Sequence, residues 1–141
     1  MTASANLDLV RSIYADWERG DFRRMREWAD PEIALAFVGG SEPGTWAGLA
    51  AVEETARGRL DAWEAPYITA EQYRELDDAR VLVLFSPGGI GKASRLDLAQ
   101  TPTRAAHVFH VRDGKVTRIV SYWDRDRAFA DLGLAPEGDA A

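Results

Sequence analysis

The stretch RAAHVFHVRDGKVTRIVSYWD, Arg104–Asp124, decides the fold class. Two runs rich in Val, Ile, Phe and Tyr flank Asp113-Gly114. Asp-Gly between such runs is a strong hairpin signal, because both residues tolerate the positive φ of a tight turn. A two-residue turn predicts a regular ladder with Ala106 opposite Ser121, Val108 opposite Ile119 and His110 opposite Thr117 on one face, and Trp123 at its end. The other face then carries Ala105 with Tyr122, His107 with Val120 and Phe109 with Arg118. Neither face is cleanly polar, so the sheet wants cover on both sides. Helices can cover one. A second copy of the chain is the expected cover for the other, which predicts a homodimer through the outer sheet face. His107, on that outer face, reads as structural or interfacial.

Upstream of the hairpin the period stays at two as far back as Pro66. Tyr67–Leu76, Arg80–Ser86 and Gly91–Ala99 read as strands, with a turn at Asp77-Asp78 and a break at Pro87-Gly88-Gly89. Before Pro66 the period is 3.6. Leu7, Val10, Tyr14 and Trp17 line one side of a first helix, which Gly20 ends. Asp21 can cap a second, with Phe22, Met25 and Trp28 inward and Pro31 as its stop. Ile33–Val38 reads as a short strand and Ser41–Thr45 as a loop. Gly48 precedes a third helix with Leu49, Val52, Ala56, Leu60 and Trp63 inward. A last helix runs from about Asp126 to Leu132, stopped by Gly133. The order predicts one α+β domain over residues 1–134, with helices on one face of an antiparallel sheet. Residues 135–141 have nothing to bury and read as a flexible tail.

The 141 residues are 46% hydrophobic and 28% charged, as in ordinary globular domains. Lys and Arg number 17 against 23 Asp and Glu, a net charge of −6. That balance argues against nucleic-acid and anionic-membrane partners, which need clustered positive charge. There is no cysteine, hence no disulfide or thiolate site. Two histidines make a metal centre improbable. Gly88-Gly89-Ile90-Gly91 lacks the Lys-Ser/Thr and following helix of a phosphate loop. No apolar run approaches the ~20 residues of a membrane span, and Met1–Asn6 does not read as a targeting segment. The expected setting is cytoplasmic, without cofactor.

Several pieces, in order, resemble the SnoaL-like branch of the nuclear-transport-factor-two-like superfamily. They are IYADWERGDF (Ile13–Phe22), WADPE (Trp28–Glu32), WAGLAAV (Trp46–Val52), VFHVRDGKV (Val108–Val116), YWDR (Tyr122–Arg125) and LGL (Leu132–Leu134). The resemblance implies a cone: a curved antiparallel sheet wrapped around three N-terminal helices, with an apolar pocket between them. The implied ligand is a small, mostly apolar molecule. The pocket residues expected are Tyr14, Trp17, Trp28, Phe37, Trp63, Val108, Ile119, Ser121 and Trp123.

The fold hosts several chemistries, and each is tested on this chain's residues. The resemblance to ketosteroid isomerases puts Phe37 where their base carboxylate stands and Ala106 where the acid of their oxyanion hole stands, which argues against steroid isomerisation. Polyketide cyclases of this branch carry His-Trp-Asp soon after the hairpin glycine. Here that spacing falls near Ser121, and Trp123-Asp124 follows later. Limonene-epoxide hydrolases use Asp-Arg-Asp, which Asp97, Arg95 and Asp124 resemble; there one acid activates water and the other protonates the epoxide. Candidate acid–base groups are therefore Asp124, His110 and Asp97, with Arg95 as organiser. Each also has an ordinary reading: Asp124 as a helix cap, Asp97 with Arg95 as an ion pair, His110 as a hydrogen-bonded core residue. Three functions stay open: a small-molecule binder with proton-transfer capacity, an epoxide-hydrolase-like enzyme, and a non-catalytic dimeric accessory domain.

Overall fold

The computed structural model describes residues 3–39, 43–100 and 104–134; the expected tail, 135–141, lies outside them. In chain order the elements are α1 (Ala3–Glu18), α2 (Met25–Trp28), β1 (Ala29–Val38), β2 (Gly44–Ala47), α3 (Leu49–Leu60), β3 (Trp63–Glu75), β4 (Arg80–Gly91), β5 (Ala105–Arg112), β6 (Lys115–Tyr122) and α4 (Arg125–Leu132), with a single 3-10 turn at Leu98–Gln100. The six strands form one curved, unclosed sheet in the order β2-β1-β6-β5-β4-β3. Every pairing is antiparallel except β1 with β6. The expected α+β architecture is present, with α1, α2 and α3 on the concave face.

The hairpin turn forms as its chemistry requires, with Asp113 at φ 53 and Gly114 at φ 76. The regular ladder does not persist beyond it. Arg112 pairs with Lys115 and Val111 with Val116; the register then slips, so that His110 meets Arg118, Phe109 meets Ile119 and His107 meets Ser121. Thr117 is the extra residue of a β-bulge, and its hydroxyl donates to the His110 carbonyl at 3.3 Å. A one-residue slip exchanges faces. Ala105, His107, Phe109 and Val111 therefore share the concave face with Val116, Ile119 and Ser121. Ala106, Val108 and His110 share the convex face with Val120 and Tyr122. The expected placement of Val108 and His110 beside Ile119 and Ser121 is overturned.

Other boundaries moved for identifiable reasons. The second helix is a single turn, and Ala29–Pro31 belong to β1, where a register shift between Ala29 and Ala34 gives Pro31 an irregular stretch to occupy. Gly44–Ala47, read as loop and helix start, is an edge strand that sets Trp46 opposite Leu35. Trp63 begins β3 instead of ending α3. Pro87-Gly88-Gly89 does not break β4, which continues to Gly91 against β3. Pro87 lies beyond the last β5 pair, Phe85–Ala105, so one edge of β4 is open there and a missing N–H is tolerated. At Gly88 the absence of a side chain is essential: a Cβ would stand 2.1 Å from the Tyr67 ring that crosses it. Gly91–Ala99 is no strand. Arg95, at φ 60, closes a turn by donating its N–H to Gly91 O at 2.8 Å.

Two apolar layers result. The concave layer joins Val10, Ile13, Tyr14 and Trp17 of α1 to Ile33, Val52, Val83, Phe109 and Ile119. The convex layer joins Leu82, Leu84, Ala106, Val108, Val120 and Tyr122 to Ala128 and Phe129 of α4. Ala128 and Phe129 of the chain's own last helix thus cover part of the face for which a second copy was expected. Asp124 caps α4, its carboxylate accepting from the Asp126 N–H at 2.9 Å. The buried Arg125 pins it, donating to Ala105 O at 2.9 Å, to Phe85 O at 3.1 Å and to the Glu71 carboxylate.

Candidate functional site

The concave face and its helices do not close completely. A cavity of about 730 Å³ lies between the sheet, α3 and the curled end of the β3-β4 hairpin. Such a size suits a drug-sized molecule. The sequence places aromatic side chains around it from many elements: Trp17 from α1, Phe37 from β1, Trp46 from β2, Trp63 and Tyr67 from β3, and Phe85 from β4. The curl that brings Trp63 and Tyr67 in comes from a bulge between Glu64 and Tyr67, where Ala65 takes φ 50. Ile119, Ser121 and Trp123 line it from β6 and just beyond; Trp123, 44% exposed, stands at the mouth.

Of the pocket residues expected from the sequence, Trp17, Phe37, Trp63, Ile119, Ser121 and Trp123 line this cavity. Tyr14 and Trp28 lie in the core around it: Trp28 packs edge-on against Trp17 at 6.0 Å between centroids. Val108 is in the convex layer.

None of the four acid–base candidates lines the cavity. Asp124 is an exposed helix cap. Arg95 is exposed and pairs with Glu64 at 3.0 Å. Asp97 accepts the Ala99 N–H at 2.9 Å, holding the 3-10 turn. His110 is half-buried on the convex face, in register with Arg80 and Arg118. Burial first, then those two cations, push its pKa down.

The histidine read from the sequence as structural or interfacial is the one that lines the cavity. His107 lines the floor beneath an aromatic box. Phe85 stacks on its ring at 4.0 Å between centroids, 20° from parallel. Trp17 and Phe109 meet it edge-on at 5.9 and 5.8 Å. Nδ1 lies 2.5 Å from the hydroxyl of Tyr14, a fully buried residue. Burial pushes the His107 pKa down to about 3, and burial pushes the Tyr14 phenol well above its usual value. Both are neutral at ordinary pH. The chain carried a clue: Val116 and Ile119 both want the core but are three residues apart, an odd spacing that a strand accommodates only with a bulge.

Glu54 and Arg59 bring charge to the α3 side, where the Arg59 guanidinium lies 3.6 Å from the centroid of the Phe37 ring. Among the described residues no group of three or more His, Asp or Glu could hold a metal ion, and no helix is long and apolar enough to cross a membrane.

The SnoaL-like domain model matches residues 10–119. This chain belongs to the SnoaL-like domain family. Solved structures share its fold at low identity. A protein described as a SnoaL-like polyketide cyclase, from Jannaschia sp. CCS1, superposes with a TM-score of 0.70 at 12% identity over 94% of each chain. Bal32a, from a soil-derived mobile gene cassette, gives 0.71 at 21% identity, covering 92% of this chain and 97% of its own. TerC, co-crystallised with polyporic acid, gives 0.70 at 20%, covering 91% and 97%. No curated protein sequence matches the chain. For a SnoaL-like domain at these identities the likeness speaks for the fold, and the site must carry the function.

Proposed function

We propose that this SnoaL-like domain binds a small, mostly apolar molecule in the concave cavity. The observation that carries the proposal is an aromatic-lined space of about 730 Å³ with neutral polar groups, His107 and Ser121, on its floor. Apolar walls with a few placed polar groups are the usual make-up of a small-molecule site. That a structural neighbour was co-crystallised with polyporic acid supports the same use of the fold. An open cavity favours a binder over an accessory domain, whose core would be filled.

Acid–base chemistry has less support. An imidazole with a pKa near 3 is a poor base at neutral pH but a good hydrogen-bond donor. The Asp97, Arg95 and Asp124 side chains are engaged elsewhere, away from the cavity, so the epoxide-hydrolase reading is not part of the proposal.

The test is a titration of intrinsic fluorescence, since Trp17, Trp46, Trp63 and Trp123 line the cavity. Flat aromatic compounds should quench it saturably. Ala56→Trp puts an indole into the cavity from α3 and should weaken binding at least tenfold without lowering the melting temperature. Unchanged affinity in that variant would place the ligand elsewhere and sink the proposal.

A further inference from the structure

Tyr14 is fully buried behind the imidazole of His107, and Nδ1 of that ring is its hydroxyl's hydrogen-bond partner. A buried hydroxyl that donates to nothing is costly, so the O–H donates to Nδ1. Nδ1 accepts only when it carries no proton, and the proton of the neutral ring therefore sits on Nε2. Phe85 on one face, with Trp17 and Phe109 edge-on, keeps the ring from turning. Among the described residues, Asn6 Oδ1 is the sealed side-chain polar atom that lacks a partner. Nε2 has no protein partner among them either, but it is not one of the sealed atoms, and the ring that carries it lines the cavity. Ser121 is the cross-strand partner of His107 and lines the same cavity. Side chains so paired start about 5 Å apart. An N–H and an O–H thus rise together from an otherwise apolar floor.

Resting on the binding function proposed above, the geometry points to a ligand class: a flat, apolar compound with a neutral carbonyl oxygen, held by His107 Nε2–H and Ser121 O–H. Tyr14 is a positioning residue that fixes the tautomer. A carbonyl oxygen has two lone pairs and no proton, which matches two donors. An ammonium group would meet an N–H it cannot use. A carboxylate on this floor would face neutral donors; the cation lining the cavity, Arg59, lies over Phe37 and Trp46 on the α3 side. The other ionisable side chains lining the cavity are Glu54, Tyr67 and Tyr122.

The test compares fluorenone with fluorene, which share a shape and differ in the carbonyl. The native protein should bind fluorenone about three- to tenfold tighter, the worth of neutral hydrogen bonds. The carbonyl stretch of bound fluorenone should fall below its value in hexane. Ser121→Ala and Tyr14→Phe should each shrink the ratio of fluorenone to fluorene affinity and return the stretch toward the hexane value. Because the chain has two histidines, nitrogen NMR can resolve them. His107 should carry its proton on Nε2 at pH 7 and become a tautomer mixture in Tyr14→Phe. Equal affinity for the two probes, or a proton on Nδ1 in the native protein, overturns this inference and leaves the binding function standing. Failure of both probes and of every aromatic compound tried above overturns the binding function, and the inference with it.

Discussion

The two faces of the sheet are both apolar, yet they end differently. The concave face meets α1, α2 and α3 and keeps a cavity of about 730 Å³. The convex face meets one helix of 8 residues and is sealed there, with Ala106, Val108, Leu82 and Ala128 all within 2% of complete burial. Side-chain size accounts for much of the difference. Ala36, Ala106 and Ala128 let α4 approach the strands closely. On the other side, bulky rings from many elements hold one another apart and frame a space none of them fills. Apolar pattern thus reports that a face is covered, not how completely.

The comparison can be broken most forcefully at Phe129. It is the large side chain that α4 buries in the convex layer. Phe129→Ala should cost about 3–5 kcal/mol in urea unfolding, with ligand affinity unchanged under folding conditions. A cost under about 1 kcal/mol would mean that α4 is not the seal.

The two histidines set the faces against each other in pH dependence. His107 has a folded pKa near 3, below its usual value, so the unfolded chain binds its proton first. Stability from this group is full above about pH 6.5 and is lost as pH falls toward 3. Each unit inside that window is worth about 1.4 kcal/mol, so the loss from pH 7 to 5 should be about 2 kcal/mol. His110 shifts in the same direction but is only half-buried. The loss should largely persist in His110→Gln and fall sharply in His107→Phe; the reverse pattern would refute the face assignment. Asp21 and Asp77, whose pKa values are lowered by hydrogen bonds to Arg23 and Ala79, lose their contribution only at more acidic pH.

The smallest effect separates a cap from a catalyst. Asp124→Ala should cost about 1 kcal/mol, the usual worth of an N-cap. Asp124→Asn keeps a capping oxygen and should change stability by under about 0.5 kcal/mol. Ligand affinity should stay level in both; a large loss in the Asn variant would return Asp124 to the site.

Local signals carried far in this chain. Asp113-Gly114 made the hairpin, Gly133 adopted φ 68 to end α4, and the α1 stripe of Val10, Ile13, Tyr14 and Trp17 packed inward. Six of the nine expected pocket residues line the cavity, because aromatic residues on inward faces converge wherever the core is not filled. His107 and His110 exchanged roles because a bulge of one residue, Thr117, reverses strand parity. Either register would have buried a similar set of apolar side chains, so hydrophobic alternation had no means of choosing between them.

Sequence alone therefore determined the order and kind of the main elements and the turn chemistry, since each depends on near neighbours in the chain. Tertiary structure alone decided which histidine faces the cavity, that β4 runs through Pro87-Gly88-Gly89, and that α4 covers the convex face. Those outcomes depend on pairings between distant residues, such as His107 with Tyr14 and Tyr67 with Gly88. Their energies exist only once the strands have bent and met.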